Sequence, residues 1–115
     1  MTDKELLYRD LFARLPYGIF VEDNIVSTEP VIYTMDFHPN YFNCKPYLRP
    51  MSSMTEEEEK EYYALCVLTS NGGYDWYYEP TLKSLDWLNA HHFDHRGLIE
   101  KGLALEAPEN MYTKK

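Results

Sequence analysis

Three histidines, His91, His92 and His95, form the densest group of metal-ligand side chains in this sequence. If a helix continued through them, His91 and His95 would lie at positions i and i+4, where two imidazoles can share one zinc ion, and Asp94 could add an oxygen ligand. The general-base glutamate of the HExxH pattern is missing, and the Arg-Gly pair that follows indicates that the helix ends here. A histidine near a helix end is also favoured by the helix dipole alone. We therefore predict no metal site, and keep a small metal-binding protein or metal-dependent enzyme as the alternative function.

The two cysteines, Cys44 and Cys66, are the candidate nucleophiles. Cys66 falls on the apolar side of a predicted helix, where cysteine behaves as a small hydrophobic residue. Lys45 could lower the pKa of Cys44, but no histidine is close to it in sequence. Neither a glycine-rich phosphate-binding pattern nor a GxSxG pattern occurs. We expect no catalytic residue and no cofactor.

Residues 55–95 combine aromatic and acidic side chains, and only Lys60 and Lys83 oppose the acids. Aromatic anchors within a negative field favour docking on a basic protein surface. The alternative is that the rings belong to the core and the acids keep the fold soluble. The predicted partner-binding residues are Tyr74, Trp76, Tyr77, Tyr78, Glu79, Glu56 and Glu57.

The chain has 115 residues and a net charge of −8, which would repel a phosphate backbone. We therefore expect no direct nucleic-acid binding through a basic patch. No stretch approaches the ~18 apolar residues that a membrane span needs, and the charged N-terminus lacks the apolar run of a secretory signal. We expect one domain over residues 1–115, in the cytoplasm and with reduced cysteines.

The elements that must position these residues follow from local patterns. Thr2 with Glu5, and Thr55 with Glu58, have the spacing of helix-capping boxes. Alternating apolar residues predict strands, so we expect an α+β fold with a small antiparallel sheet of about two to four strands against about three helices. Helices are predicted over 2–15, 55–70 and 80–91, strands over 17–22 and 31–37, and shorter elements at 25–26, 47–48, 74–78 and 98–101. The predicted core residues are Leu7, Leu11, Phe12, Leu65, Leu85 and Leu88.

Two stretches carry a family resemblance: KPYLRPMSSMTEEEEKEYYAL at 45–65 and WLNAHHFDHRGLIEKGLALEAPENMY at 87–112. They resemble a group of small uncharacterised proteins encoded in gut-anaerobe genomes, often in prophages or other mobile elements. The group has no assigned activity, so the resemblance implies no catalytic residue. Its members often have an aromatic residue at the place of His95, which weakens the metal alternative.

The resemblance implies an accessory gene, and short acidic proteins in that setting commonly bind and block a component of the host or of a rival phage. We therefore predict an acidic protein-interaction module of phage or mobile-element origin that binds, and inhibits, such a component. The expected partner is a protein with a basic surface. A homodimer formed through the aromatic surface is the other alternative.

Overall fold

A computed structural model describes residues 2–23, 29–34 and 44–112 of the chain. Within these ranges the helices and strands confirm the α+β class. Their bounds, in chain order, are α1 (Asp3–Arg14), β1 (Ile19–Glu22), β2 (Val31–Tyr33), β3 (Lys45–Leu48), α2 (Glu56–Leu65), β4 (Val67–Ser70), β5 (Trp76–Glu79), α3 (Leu82–Ala90) and β6 (Leu105–Glu106).

Helix α1 begins and packs largely as its sequence predicts. The Thr2 hydroxyl accepts a hydrogen bond from the Glu5 amide (3.1 Å), which satisfies one of the free amides of the first turn. Leu7 and Leu11 are buried. Phe12 was expected in the core, but 54% of it is exposed. It lies about 100° around the helix from Leu11, and its ring meets Tyr8 edge-on instead.

The first sheet has the strand order β2-β1-β3-β6. Strand β1 pairs antiparallel with β2 and β3, with Ile19 opposite Tyr33 and Val21 opposite Pro46. Strand β6 runs parallel to β3, with Tyr47 opposite Leu105, so the sheet is mixed rather than purely antiparallel. Parallel pairing needs a long crossover, and here the crossover is the whole segment that contains α2, β4, β5 and α3.

One apolar face of α1 and the inner face of this sheet enclose the core. The strand predicted over 31–37 is confirmed at Val31–Tyr33, and its remainder lies outside the described residues, as does the short strand proposed at 25–26. The buried residues of the core are Leu7, Leu11, Leu15, Ile19, Val21, Tyr33, Cys44, Leu48, Leu98 and Ala104.

One predicted helix is too long, and another does not form. Helix α2 stops at Leu65, and Val67–Ser70 forms strand β4 instead of continuing the helix to residue 70. The β-branched Val67 and Thr69 suit a strand, and β5 lies beside them as a pairing partner. Residues 98–101 form turns rather than a helix, and the Asp94 carboxylate accepts hydrogen bonds from the amides of Leu98 (2.8 Å) and Ile99 (3.0 Å) there.

Two residues of α2 and α3 that were predicted in the core, Leu65 and Leu85, are only partly buried. No residue of α2 is fully buried, and Leu65 is only partly buried. In α3, Leu88 is buried as expected, whereas Leu85 is only partly buried. The Thr81 hydroxyl donates to the Leu65 carbonyl (2.6 Å), which fixes the start of α3 to the end of α2. The segment between these two points forms the hairpin of strands β4 and β5.

Candidate protein-interaction surface

Strands β4 and β5 form a two-stranded antiparallel hairpin in which Leu68 lies opposite Tyr78 and Thr69 lies opposite Tyr77. The turn between them is stabilised by the Ser70 hydroxyl, which donates to the Gly73 carbonyl (2.9 Å). Gly72 has a φ of +96°, a conformation that favours glycine. Local hydrogen bonding and a permissive glycine thus build the hairpin.

Apolar side chains are exposed on both faces of this hairpin. Residues in a strand alternate between faces, so Trp76 and Tyr78 share one face and Tyr77 and Glu79 the other. The sequence allowed one of these sets to enter the core, but neither is buried: Trp76 is 63% exposed and Tyr77 is 46% exposed. We call the exposed apolar residues of the two strands the hairpin surface: Val67, Leu68, Trp76, Tyr77 and Tyr78.

A row of aromatic rings connects the hairpin surface to the two helices. The Tyr78 ring packs on Tyr63 of α2 with a centroid distance of 4.6 Å. Tyr62, the neighbour of Tyr63, lies 5.9 Å from the ring of Trp87 in α3. Because Trp87 in turn stacks on Phe93, which is fully buried, the row leads from the hairpin to the interior. The rings thus support the hairpin at its base and leave its outer part exposed.

The acidic first turn of α2 lies beside the hairpin, and its residues face two different grooves. Thr55 and Glu58 form the predicted capping box, which confirms where the helix begins. Glu56 lines a shallow groove of about 480 Å³ together with Tyr78. Glu57 lines a second groove of about 870 Å³ on another side of the helix, together with His91 and His92. Of the two predicted acidic residues, the structure therefore brings Glu56, and not Glu57, to the groove beside Tyr78.

Tyr74 stands apart from the other predicted partner-binding residues. Its side chain is fully exposed, and it lies in the turn before β5 rather than in the strand. The strand predicted at 74–78 is instead Trp76–Glu79. Trp76, Tyr77, Tyr78 and Glu79 thus lie on one strand, and Tyr74 lies at its approach.

The histidine cluster is held by structural contacts. Helix α3 ends at Ala90, so His91 and His95 do not share a helical face. The His91 ring stacks on Trp87 (4.1 Å) and its Nδ1–H donates to the Trp87 carbonyl (2.9 Å). His92, at a φ of +65°, stacks on Tyr112 (3.7 Å). Across residues 2–23, 29–34 and 44–112, no group of three His, Cys, Asp or Glu residues is placed to hold a metal ion.

His95 is a partly buried neutral base within a cluster of charges. Burial, together with the nearby positive charges of Arg14 and Arg96, lowers its pKa from 6.5 to about 4. Its Nε2–H donates to the Asn89 side-chain oxygen (2.8 Å). The neutral imidazole is thus held against helix α3 by this hydrogen bond.

An ion-pair network that the sequence analysis did not identify joins α1 to the segment after α3. The fully buried Arg14 donates through Nε and Nη2 to both carboxylate oxygens of Asp10 (2.8 and 3.0 Å) and through Nη2 to the Phe93 carbonyl (2.6 Å). Arg96 adds a further bond to Asp10 (2.7 Å). The i, i+4 spacing of Asp10 and Arg14 is visible in the sequence, but their burial is not.

Arg49 joins residues 45–65 to residues 87–112. Its amide donates to the His92 carbonyl (2.7 Å), and its carbonyl accepts from the Asp94 amide (2.8 Å). Its guanidinium lies over the Phe93 ring (4.1 Å) and donates to both oxygens of Glu58 (2.8 and 2.7 Å). This contact lowers the pKa of Glu58 from 4.5 to about 2. Arg49 therefore ties the end of strand β3 to α2 and to the segment after α3.

The surroundings of Cys44 do not favour a nucleophilic thiolate. Cys44 is buried beside Tyr33 and Asp23, and burial with the nearby Asp23 raises the pKa of its thiol to about 11. The Tyr33 hydroxyl donates to the Asp23 carboxylate. Cys66 is partly buried at the end of α2. The Cys44 thiol therefore stays protonated at neutral pH.

In comparisons with known proteins, no family model matches this chain, and no curated protein or solved structure is significantly similar to it. Within the part of the chain that the structure describes, no helix is long and apolar enough to cross a membrane.

Proposed function

We propose that this protein is an acidic, cytoplasmic interaction module that binds a protein partner with a basic surface through the hairpin surface. The observation that carries the proposal is the exposure of Trp76 and Tyr78 on one face of strand β5 and of Tyr77 on its other face. Large apolar side chains clustered on a surface are typical of protein–protein contacts. Trp and Tyr are also the residue types most often found at binding hot spots, where truncation costs about 2 kcal/mol or more.

Charge supports the choice of a basic partner. Four consecutive glutamates occupy the first turn of α2, and the whole chain carries a net charge of −8. A negative field beside an aromatic surface accelerates encounter with a positively charged protein, and salt screens that effect. The resemblance to mobile-element proteins suggests that the partner is a component of the host or of a rival phage. By occupying the surface of that component, the protein would inhibit it.

The test compares two tyrosines of equal exposure. Tyr77 is 46% exposed in β5, and Tyr17 is 47% exposed in the turn after α1. We expect Tyr77→Ala to lose recovery of the partner from host lysate, and Tyr17→Ala to retain it. Both variants should melt within a few degrees of the wild type, because neither side chain is buried.

Recovery that is equal for both variants and the wild type would contradict the role of the hairpin surface. A large fall in melting temperature for Tyr77→Ala would show that the side chain stabilises the fold, contrary to its exposure. Partner recovery should also decline as salt is added to the binding buffer.

Self-association through the hairpin is the second candidate. Among the described residues, β4 and β5 pair only with each other, so each has an outer edge that could pair with another strand. A homodimer would bring two chains of net charge −8 together, which favours the basic partner instead. Light scattering of the purified chain distinguishes the two, since only the homodimer gives twice the monomer mass without a partner.

A further inference from the structure

The groove between α2 and the hairpin has the shape and chemistry of a site for one side chain of the partner. It has a volume of about 480 Å³. Positions three, four, seven and eight apart share one face of a helix, so five residues of α2 form one wall, and β5 supplies the other. The lining residues are Glu56, Glu59, Lys60, Tyr63, Ala64 and Tyr78.

Two aromatic rings meet in this groove and remain accessible. The rings of Tyr63 and Tyr78 are tilted by 35° with their centroids 4.6 Å apart. Tyr63 is 42% exposed and Tyr78 is 49% exposed. An aromatic face attracts a cation through its quadrupole, and the planar guanidinium of arginine can also stack on it. The paired rings therefore offer a platform that suits arginine better than lysine.

Two carboxylates flank the platform. Glu56 and Glu59 line the groove, whereas the ion pairs seen among the described residues use Asp10 and Glu58. A carboxylate can accept two parallel hydrogen bonds from one guanidinium. Lys60 lines the same groove and opposes the binding of a cation. Neutralising Glu59 should therefore weaken the binding of a cation in the groove, and neutralising Lys60 should strengthen it.

We propose that this groove binds an arginine side chain of the protein partner, an inference that rests on the proposed function and names the chemistry of its contact. A second copy of the chain is a poorer occupant, because it would bring another strongly acidic surface against Glu56 and Glu59. A purely apolar segment would leave both carboxylates unpaired at the contact. An arginine side chain can stack on the rings and donate hydrogen bonds to a carboxylate at the same time.

The test titrates a short capped peptide of alternating arginine and glycine into the full chain at low salt and follows backbone amide chemical shifts. We expect the shifts to centre on residues 56–64 and Tyr78. The lysine counterpart of the peptide should bind about two- to fivefold more weakly. The citrulline counterpart, which keeps the shape of arginine without its charge, should produce no shifts there.

Three variants complete the experiment, and each removes one exposed charge with little change of shape. We expect Glu59→Gln to weaken binding of the arginine peptide by about 1.5- to 5-fold, and Lys60→Gln to strengthen it by a similar factor. Glu100→Gln, in an exposed turn, is the control and should bind as the wild type does. The proposal would be overturned by chemical shift changes located elsewhere or by equal binding of the citrulline peptide. It would also be overturned if Glu59→Gln and Lys60→Gln changed the affinity in the same direction.

The two proposals fail separately. If the arginine peptide leaves the groove unperturbed while Tyr77→Ala still loses the partner, the arginine assignment is wrong and the proposed function stands. If the peptide binds in the groove while Tyr77→Ala recovers the partner normally, the proposed function is wrong and the groove still binds arginine.

Discussion

Acidification should destabilise this protein through His95. Burial and the positive charges of Arg14 and Arg96 lower the pKa of His95 from 6.5 to about 4 in the folded chain. The unfolded chain therefore takes up a proton near pH 6.5 that the folded chain does not accept until about pH 4. Because the unfolded state binds more protons in this window, the free energy of unfolding falls as the pH falls from 6.5 to about 4.

The size of the effect follows from the same pKa. A displacement from 6.5 to about 4 corresponds to roughly 3 kcal/mol, since each pKa unit is worth about 1.4 kcal/mol. His95 is partly exposed, and solvent screening reduces the expected loss to about 1–3 kcal/mol. Urea denaturation at about pH 7 and about pH 4 should show this loss in the wild type in excess of that in His95→Gln. Glu58 and the other acids are common to both proteins, so their contributions cancel. An equal loss in both proteins, or a His95 ring that titrates near pH 6.5 by NMR, would refute the reasoning.

Three further predictions concern the fold. Leu11 is fully buried, so Leu11→Ala should lower the free energy of unfolding, measured by chemical denaturation, by about 2–5 kcal/mol. Leu85→Ala, at a partly buried site, should lower it less. Equal losses would contradict the packing described. Arg49→Ala should cost about 1–3 kcal/mol at neutral pH. That cost should shrink as the pH falls from 4.5 to about 2, where Glu58 becomes protonated and its paired stabilisation disappears; a cost independent of pH in this range would argue against the ion pair. Cys44, whose pKa is raised to about 11, should react with a thiol reagent only on unfolding, as followed by mass spectrometry; rapid labelling of the folded chain would contradict its burial.

Local sequence patterns predicted the parts of the fold that local physics decides. The Thr55–Glu58 capping box and the spacing of Leu7 and Leu11 each specify a helix from residues within about two turns, and both were confirmed. The helix predicted over 55–70 includes Val67–Ser70, and a short apolar run of this kind is compatible with either a helix or a strand. These residues form a strand because they pair with β5, a contact that the local sequence does not show.

Long-range contacts account for what the sequence did not predict. Arg14 and Arg96 share Asp10 across more than 80 residues of chain, and Arg49 reaches Phe93. Nothing in the spacing of these residues indicates that they meet. The candidate site was partly predictable, since the aromatic residues of 74–78 predict a strand. The structure places this strand at Trp76–Glu79. The position of Glu57 in a different groove follows from how α2 packs, which the charge run did not indicate.

Binding of the partner through the hairpin surface is tested most directly by hydrogen exchange, measured with and without the recovered partner. Backbone amides in residues 67–79 should exchange more slowly in the complex, because the partner covers both strands of the hairpin. Amides in β3 and β6, which lie in the other sheet, serve as the internal control and should exchange at the same rate in both samples. Slower exchange confined to residues 91–112, around the second groove that His91 and His92 line, would contradict binding through the hairpin surface.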